Sequence, residues 1–229
     1  MSADFGRSKD TYREEVQKSI DFVGQDMDFF VELKADYLLD IARRRLGDPK
    51  SLSFLDVGCG VGLTDQYLEG EVGALHGIDV AEGVVERAGE RNPWAEYAVY
   101  DGGAAPFRNE LFDLTFAVCV LHHVSPASWH SFVEELARVT RRGGLVVVIE
   151  HNPFNPLTRL AVSRCDFDED AVLLRARRTR GLLAGAGLTV AEARYIAFFP
   201  WRGRMLRLVE SRLGRLPLGA QYAVAGARG

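Results

Sequence analysis

The sequence has few cysteines and no long apolar run. Its three cysteines, Cys59, Cys119 and Cys165, lie far apart in the sequence. They form no C-x-x-C pair, and such a pair is the common signal of a zinc site or a redox disulfide. We therefore expect no metal site, no disulfide framework and a reduced, cytoplasmic setting. No apolar stretch approaches the ~20 residues that span a bilayer, so no membrane partner is expected.

A strong positive charge is also lacking. The chain carries a formal net charge of −4 over 229 residues, which gives no reason to expect a nucleic-acid partner. The polar, charged N-terminal segment is unlike a secretory signal. Because single domains commonly reach about 250 residues, residues 1–229 are expected to form a single domain.

Glycines cluster in one short stretch. The run S-F-L-D-V-G-C-G-V-G occupies residues 53–62. Residues 54–57 read as a buried strand, and a helix is predicted from Thr64. Glycines at every second position between these elements allow the bare backbone to approach a ligand closely. A strand, a glycine loop and a helix start are typical of a nucleotide-like cofactor site in an α/β sheet.

The glycine spacing narrows the kind of cofactor. A dinucleotide fingerprint, G-x-G-x-x-G, would need glycine at position 63, where Leu63 stands,. The run is instead D-x-G-x-G-x-G, with Asp56 at the strand end. A carboxylate repels a pyrophosphate but attracts an ammonium or sulfonium group, so a nicotinamide oxidoreductase is disfavoured. The run resembles motif I of the class I S-adenosylmethionine (SAM) dependent methyltransferases.

Strands and helices alternate from the glycine loop to residue 150. Further strands are predicted over 74–78, 95–100, 112–119 and 145–150,. This order requires right-handed parallel crossovers and therefore a doubly wound α/β fold. The resemblance implies a Rossmann-like seven-stranded sheet, mostly parallel, with an antiparallel last strand, here 220–227, beside the fifth.

The same resemblance implies a division of the chain. Residues 10–46 read as helices that Gly24 interrupts, and they form either a cover for the sheet or a lid over the cofactor. Residues 51–150 form the SAM-binding core. Two insertions, 151–180 and 200–216, are expected near the acceptor site.

Acidic residues end the second and third predicted strands. Asp79 is placed to accept hydrogen bonds from ribose hydroxyls. By resemblance, Asp101 takes the exocyclic amine of adenine and the amide after it meets a ring nitrogen. A turn-forming role is the alternative for each aspartate. The residues expected to bind SAM are Asp56, Gly58, Cys59, Gly60, Asp79, Val80, Asp101, Gly102 and Val118.

Two histidines follow the fourth predicted strand. His123 is the first candidate for a general base and His122 the second, because adjacent residues leaving a strand point in opposite directions and only one should face the cavity. The alternative is that both merely shape the site. His151, after the fifth strand, is a further candidate for contact with the substrate.

Arginines dominate the segment before the last strand. Arg202 and Arg204 would favour an anionic acceptor if they face the cavity. Otherwise they form a solvated face or a contact for an acidic carrier protein. The sequence does not distinguish a monomer from a homodimer.

Together these features predict methyl transfer from SAM, with S-adenosylhomocysteine as product, to a small-molecule acceptor in specialised or glycan metabolism. The alternatives are a SAM-binding sensor or scaffold without turnover and, less favoured, the nicotinamide oxidoreductase. The acceptor atom, whether oxygen, nitrogen or carbon, stays open.

Overall fold

The computed structural model describes residues 17–21, 24, 26–199 and 212–229. Arg202 and Arg204 lie outside these residues, as does the beginning of the predicted helical lid. The strands are β1 (Ser53–Val57), β2 (Ala74–Asp79), β3 (Glu96–Val99), β4 (Phe112–Val118), β5 (Thr140–His151), β6 (Leu188–Ile196) and β7 (Gln221–Arg228).

These strands form one seven-stranded sheet in the order β3-β2-β1-β4-β5-β7-β6. Strands β1 to β5 pair in parallel, whereas β7 runs antiparallel to both β5 and β6. The predicted doubly wound sheet and the insertion of the last strand beside the fifth are therefore confirmed. Since the order of strands reverses between β1 and β4, a ligand site is expected beyond their carboxyl ends.

Helices cover both faces of the sheet. Their bounds are α1 (Met27–Arg45), α2 (Glu82–Arg91), α3 (Trp129–Val139), α4 (Pro156–Val162) and α5 (Ala176–Gly185). One apolar cluster joins α3 and α5 to inward side chains such as Val146 and Val148. The other joins α1 to Phe54, Phe116 and their neighbours on the opposite face. Alternate residues of the central strands thus supply both cores.

The predicted break at Gly24 is present, since Gly24 has φ 71° between helical residues 17–20 and α1. Helix α1 begins after Asp26, whose side chain accepts a hydrogen bond from the Phe29 amide. The buried face of α1 packs on the sheet, while Met27 and Val31 in its first turns join a small cluster with residues of the glycine loop. Helix α1 therefore covers the sheet, and the lid role of 10–46 stays a prediction.

Two predicted boundaries are wrong. The helix expected from Thr64 is only a 3-10 turn, Asp65–Tyr67, because Asp65 is buried and accepts a hydrogen bond from the Tyr97 hydroxyl at 2.7 Å. Strand β5 starts at Thr140 rather than Leu145. A Cβ at Gly144 would lie 2.7 Å from the Asp113 carbonyl oxygen, so glycine permits the close approach to β4 that extends the strand.

Candidate active site

The glycine loop requires its glycines. Gly58, Gly60 and Gly62 have φ values of 80°, 51° and 68°, a region that disfavours side chains. A Cβ at Gly58 would lie 2.5 Å from a methyl of Val120, which follows β4. The amide of Gly58 donates to the Ile78 carbonyl at 2.7 Å. The loop is thus held against the ends of β2 and β4 with its backbone bare.

Asp79 fixes this loop from the end of β2. Its Oδ2 accepts a hydrogen bond from the Gly60 amide at 2.9 Å, and its Oδ1 accepts one from the Ala81 amide at 3.1 Å. Each carboxylate oxygen can accept a further hydrogen bond. Asp79 therefore both shapes the loop and retains acceptors for the hydroxyls of a ribose.

Asp56 forms a buried acidic pair with Asp65. The Oδ1 atoms of both carboxyls are buried and have no hydrogen-bond partner among the described residues. Burial, and next the charge of Asp65, hold the pKa of Asp56 well above its usual range, and burial raises the pKa of Asp65 to about 6. A buried acidic pair with unused acceptors fits the cationic amino end of SAM.

An exposed apolar surface lies beside Asp101. Val80 is 54% exposed, and a Cβ at Gly102 would be 3.3 Å from its Cγ1. Asp101 is exposed, and its Oδ1 accepts a hydrogen bond from the Gly103 amide at 2.8 Å. The turn-forming role of Asp101 is therefore present, and its Oδ2 stays available beside an apolar surface suited to a purine ring. Cys59 is buried and Val118 is partly buried on the neighbouring strand ends.

His122 and His123 lie together after β4. The expectation that they point in opposite directions is wrong, because both sit in a turn after Cys119, whose φ is 57°. Their ring centroids are 4.0 Å apart. His122 Nε2 lies 3.3 Å from Asp168 Oδ1, and His123 Nε2 lies 3.5 Å from the same oxygen. Both rings therefore converge on one carboxylate.

Glu150, at the end of β5, contacts the other side of His122. Its Oε2 lies 2.6 Å from His122 Nδ1, while its Oε1 accepts hydrogen bonds from the amides of Val120 and Leu121 at 3.1 and 2.7 Å. The His122 side chain is 1% exposed and that of His123 is 25% exposed. His123 is thus the more accessible of the two rings.

Glu150 and Asp168 belong to the cluster but were not predicted from the sequence. The position of Glu150 in the sequence could have indicated its role. Glu150 lies at the end of β5, His122 follows the neighbouring parallel strand β4, and the carboxyl ends of parallel strands lie at the same edge of a sheet. Asp168 belongs to an acidic run in the connection between α4 and α5, and its 3-10 turn, Asp166–Asp168, is what carries it to the histidines. No local pattern indicates that contact.

Charge in the cluster is unevenly distributed. Burial alone would lower the pKa of His122, but the carboxylates of Glu150 and Asp168 outweigh burial and hold this pKa well above its usual range. Burial, and next the charge of His122, lower the pKa of His123 to about 4. Burial and the charge of His122 also lower the pKa of His151 to about 4. The ring centroid of His151 lies 5.1 Å from that of His122. His151 therefore borders the cluster.

The arginines that the structure describes in α5 and just before it face outward. Arg175 and Arg178 are exposed, and their guanidinium groups lie over the rings of Phe154 and Trp129, at 5.2 and 5.7 Å from the ring centroids. These two arginines therefore belong to the solvated face rather than to the cluster of histidines.

Comparison with known proteins agrees with the geometry. Residues 55–148 match the family model described as a methyltransferase domain. The methyltransferase in a complex with the Trm112 methyltransferase activator of Haloferax volcanii has the same fold, with a TM-score of 0.67 and 18% identity over 99% of this chain and 98% of that one. Residues 55–148 are therefore similar to a methyltransferase domain, and the fold of the chain is that of SAM-dependent methyltransferases.

Two curated relatives are named as methyltransferases. The chain is similar to a 2-methyl-6-phytyl-1,4-hydroquinone methyltransferase of Synechocystis, at 33% identity over 54% of this chain and 40% of the relative. It is also similar to a ubiquinone biosynthesis O-methyltransferase of Mesorhizobium japonicum, at 25% identity over 85% of this chain and 86% of the relative. The chain thus spans less than half the length of the first relative and most of the second.

Proposed function

We propose that the chain methylates a hydroxyl group on a small-molecule acceptor bound at the carboxyl ends of β4 and β5. The observation that carries this proposal is the position of His123. Its ring is partly exposed, follows β4, and belongs to a polar cluster on the loop whose Val120 packs against Gly58 of the glycine loop. An acceptor that meets His123 is therefore close to the place where the methyl donor is expected.

The chain's own residues would hold the donor and orient the acceptor. Asp56, beside the bare backbone of Gly58, Cys59 and Gly60, would receive the amino-acid end of SAM, Asp79 the ribose, and the surface of Val80, Asp101, Gly102 and Val118 the adenine. Bound SAM supplies an activated methyl electrophile. The cluster of His122, His123 and Asp168 would place the acceptor oxygen in line and receive its proton.

One relative, the Mesorhizobium protein, is named for O-methyl transfer, which favours a hydroxyl acceptor. A hydroquinone is the acceptor named for the Synechocystis protein, and ubiquinone biosynthesis is the setting named for the Mesorhizobium protein. A phenol ionises near pH ~10, so transfer to it at neutral pH needs a group that removes or stabilises charge at the oxygen. The cluster is such a group.

An anionic acceptor, in specialised or glycan metabolism, is the second candidate. It depends on Arg202 and Arg204, which lie outside the described residues. The absence of a nucleic-acid partner and the cytoplasmic location also stay predictions, as do a homodimer and an acidic carrier protein. Within the described ranges, no helix is long and apolar enough to cross a bilayer.

Formation of S-adenosylhomocysteine tests the proposal. The full chain is incubated with SAM and, separately, with a dihydroxylated aromatic ring, its fully O-methylated analogue and a nucleotide-linked sugar. Product with the dihydroxylated ring alone supports the proposal. Product with the nucleotide-linked sugar alone would favour an anionic acceptor. SAM binding without product from any of the three compounds would favour the sensor or scaffold alternative.

A further inference from the structure

We propose that His122, His123 and Asp168 form a binding site for a divalent first-row transition-metal ion such as Zn²⁺, with Glu150 as the outer carboxylate. Each of the three side chains offers one ligand atom, a ring nitrogen or a carboxylate oxygen, and these atoms lie within 4.8 Å of one another. Among the described residues, no other group of His, Cys, Asp or Glu side chains converges in this way. The absence of cysteine pairs had led us to expect no metal site.

The distances suit ligands around an ion better than direct hydrogen bonds. A charge-assisted N–H to carboxylate bond is about 2.7–2.9 Å long. The His122–Asp168 and His123–Asp168 separations are longer, at 3.3 and 3.5 Å. Ligand atoms at about 2.0–2.1 Å from a tetrahedral ion are roughly 3.4 Å apart. The two distances to Asp168 therefore match two edges of such a site, and the third edge is no longer than 4.8 Å.

Glu150 supplies the outer contact that metal-binding histidines require. A histidine ligand normally donates its second ring N–H to a carboxylate, which fixes the tautomer. The Nδ1 of His122 lies 2.6 Å from Glu150 Oε2, and the other oxygen of Glu150 is held by two backbone amides. This arrangement directs the Nε2 lone pair of His122 toward Asp168 and His123.

The donor atoms also indicate the kind of ion. Two imidazoles and one carboxylate suit Zn²⁺ or Fe²⁺, whereas Mg²⁺ and Ca²⁺ prefer oxygen ligands throughout. Three protein ligands leave a position open. The 25% exposed side chain of His123 and the 11% exposed side chain of Asp168 mark the accessible side of the cluster.

The ion has a direct use if the proposed function holds. A hydroxyl of the acceptor that occupies the open position would bind the ion through its oxygen and ionise more readily. Its proton would pass to solvent, and the oxygen would then attack the methyl group of SAM as that group leaves the sulfur. His123 would then act as a ligand instead of as the general base predicted from the sequence.

Metal binding can be measured without any activity. The full chain, freed of any purification tag, is dialysed against a chelator and titrated with Zn²⁺ by calorimetry and with Co²⁺ by visible absorption. One equivalent of either ion should bind, with the intense d–d bands of tetrahedral Co²⁺, and Mg²⁺ should not compete.

Variants assign the ligands. Asp168→Asn and His123→Gln should weaken Zn²⁺ binding by more than the roughly 10–100-fold expected for loss of the outer partner in Glu150→Gln. His130→Gln is the matched control, because His130 is exposed on α3 beside Glu134. If Asp168→Asn fails to fold, His123→Gln alone decides, since its side chain is partly exposed and its loss is tolerable.

Two results would overturn the metal site. One is a chelated wild-type chain that binds neither Zn²⁺ nor Co²⁺, and the other is binding that survives in His123→Gln. The cluster would then be an ion pair of protonated His122 with two carboxylates. Failure of the proposed function looks different: Zn²⁺ would bind as predicted while no hydroxylated acceptor yields S-adenosylhomocysteine.

Discussion

The Nδ1 atom of His122 lies 2.6 Å from the Oε2 atom of Glu150, and both side chains are 1% exposed. This contact joins the end of β5 to the turn after β4. Because Glu150 also accepts two backbone hydrogen bonds from that turn, one carboxylate fixes both the path of the chain and the orientation of the ring.

Glu150→Ala should destabilise the fold strongly. It removes the carboxylate that contacts the His122 cation and two backbone amides, and breaking a buried pair in this way costs about 3–5 kcal/mol. Urea unfolding at neutral pH measures the loss. Glu150→Gln retains an acceptor for the amides and should lose less. An equal, small loss in both variants would mean that Glu150 contributes little to the turn.

Gly58→Ala should impair the loop more than Gly60→Ala. Both positions have positive φ, which costs a residue with a side chain roughly 1–2 kcal/mol. Only at Gly58 would the new Cβ collide with Val120, at 2.5 Å, whereas Gly60 has open space. Urea unfolding and SAM titration should rank the two variants in this order. Gly58→Ala with Val120→Ala should recover part of the loss, and the reverse ranking would contradict the geometry.

Asp79→Ala should abolish most of the SAM-induced rise in melting temperature. It removes the acceptor of the Gly60 amide at 2.9 Å and the acceptor proposed for the ribose. Thermal melts with and without SAM measure the shift, which reports binding by mass action. Glu90→Gln on the exposed face of α2 is the control. A wild-type shift in Asp79→Ala would place the ribose elsewhere.

The affinity for SAM should increase as pH rises through about 6. Asp65 has its folded pKa raised to about 6, against ~3.9 for an unfolded aspartate. Without SAM, the folded state binds more protons between these values, so the free energy of unfolding falls as pH rises. The cationic amino group of SAM favours the ionised pair of Asp56 and Asp65, so SAM binding should release protons.

Calorimetry from pH ~5 to ~7, in buffers of different ionisation enthalpy, measures both the affinity for SAM and the number of protons released on binding. Asp65→Asn keeps an acceptor for the Tyr97 hydroxyl and should flatten the pH dependence. It should also raise the melting temperature of the unliganded chain at neutral pH, because a buried charge is removed. Affinity that is constant or falls over this range would contradict the coupling.

The parallel core of the sheet was predictable because β1, β2 and β5 contain short apolar runs that end beside glycine or acidic residues,. The same periodicity could not show that Thr64 starts no α-helix, since that outcome depends on the tertiary bond between Asp65 and Tyr97. It could not show that Asp168 reaches His122 either, because 45 residues, including α3, β5 and α4, separate them and the segment between α4 and α5 has no regular apolar pattern.

The orientation of the two histidines could not be predicted from the sequence either. Strand alternation predicts that His122 and His123 diverge, but the positive φ of Cys119 ends the strand before them. Non-glycine residues rarely adopt that conformation, so local sequence gave no reason to expect it. The glycine loop was easier to predict, because its backbone needs positive φ values and the glycines that adopt them are visible in the sequence,.

Transfer of an isotopically labelled methyl group tests the central claim most directly. Wild-type chain and His123→Gln are each incubated with labelled SAM and a dihydroxylated aromatic acceptor, and SAM binding is measured in parallel. We predict that the wild type transfers the label to the acceptor oxygen, and that His123→Gln binds SAM normally but transfers at least about 100-fold more slowly. Transfer by His123→Gln at the wild-type rate would contradict the account.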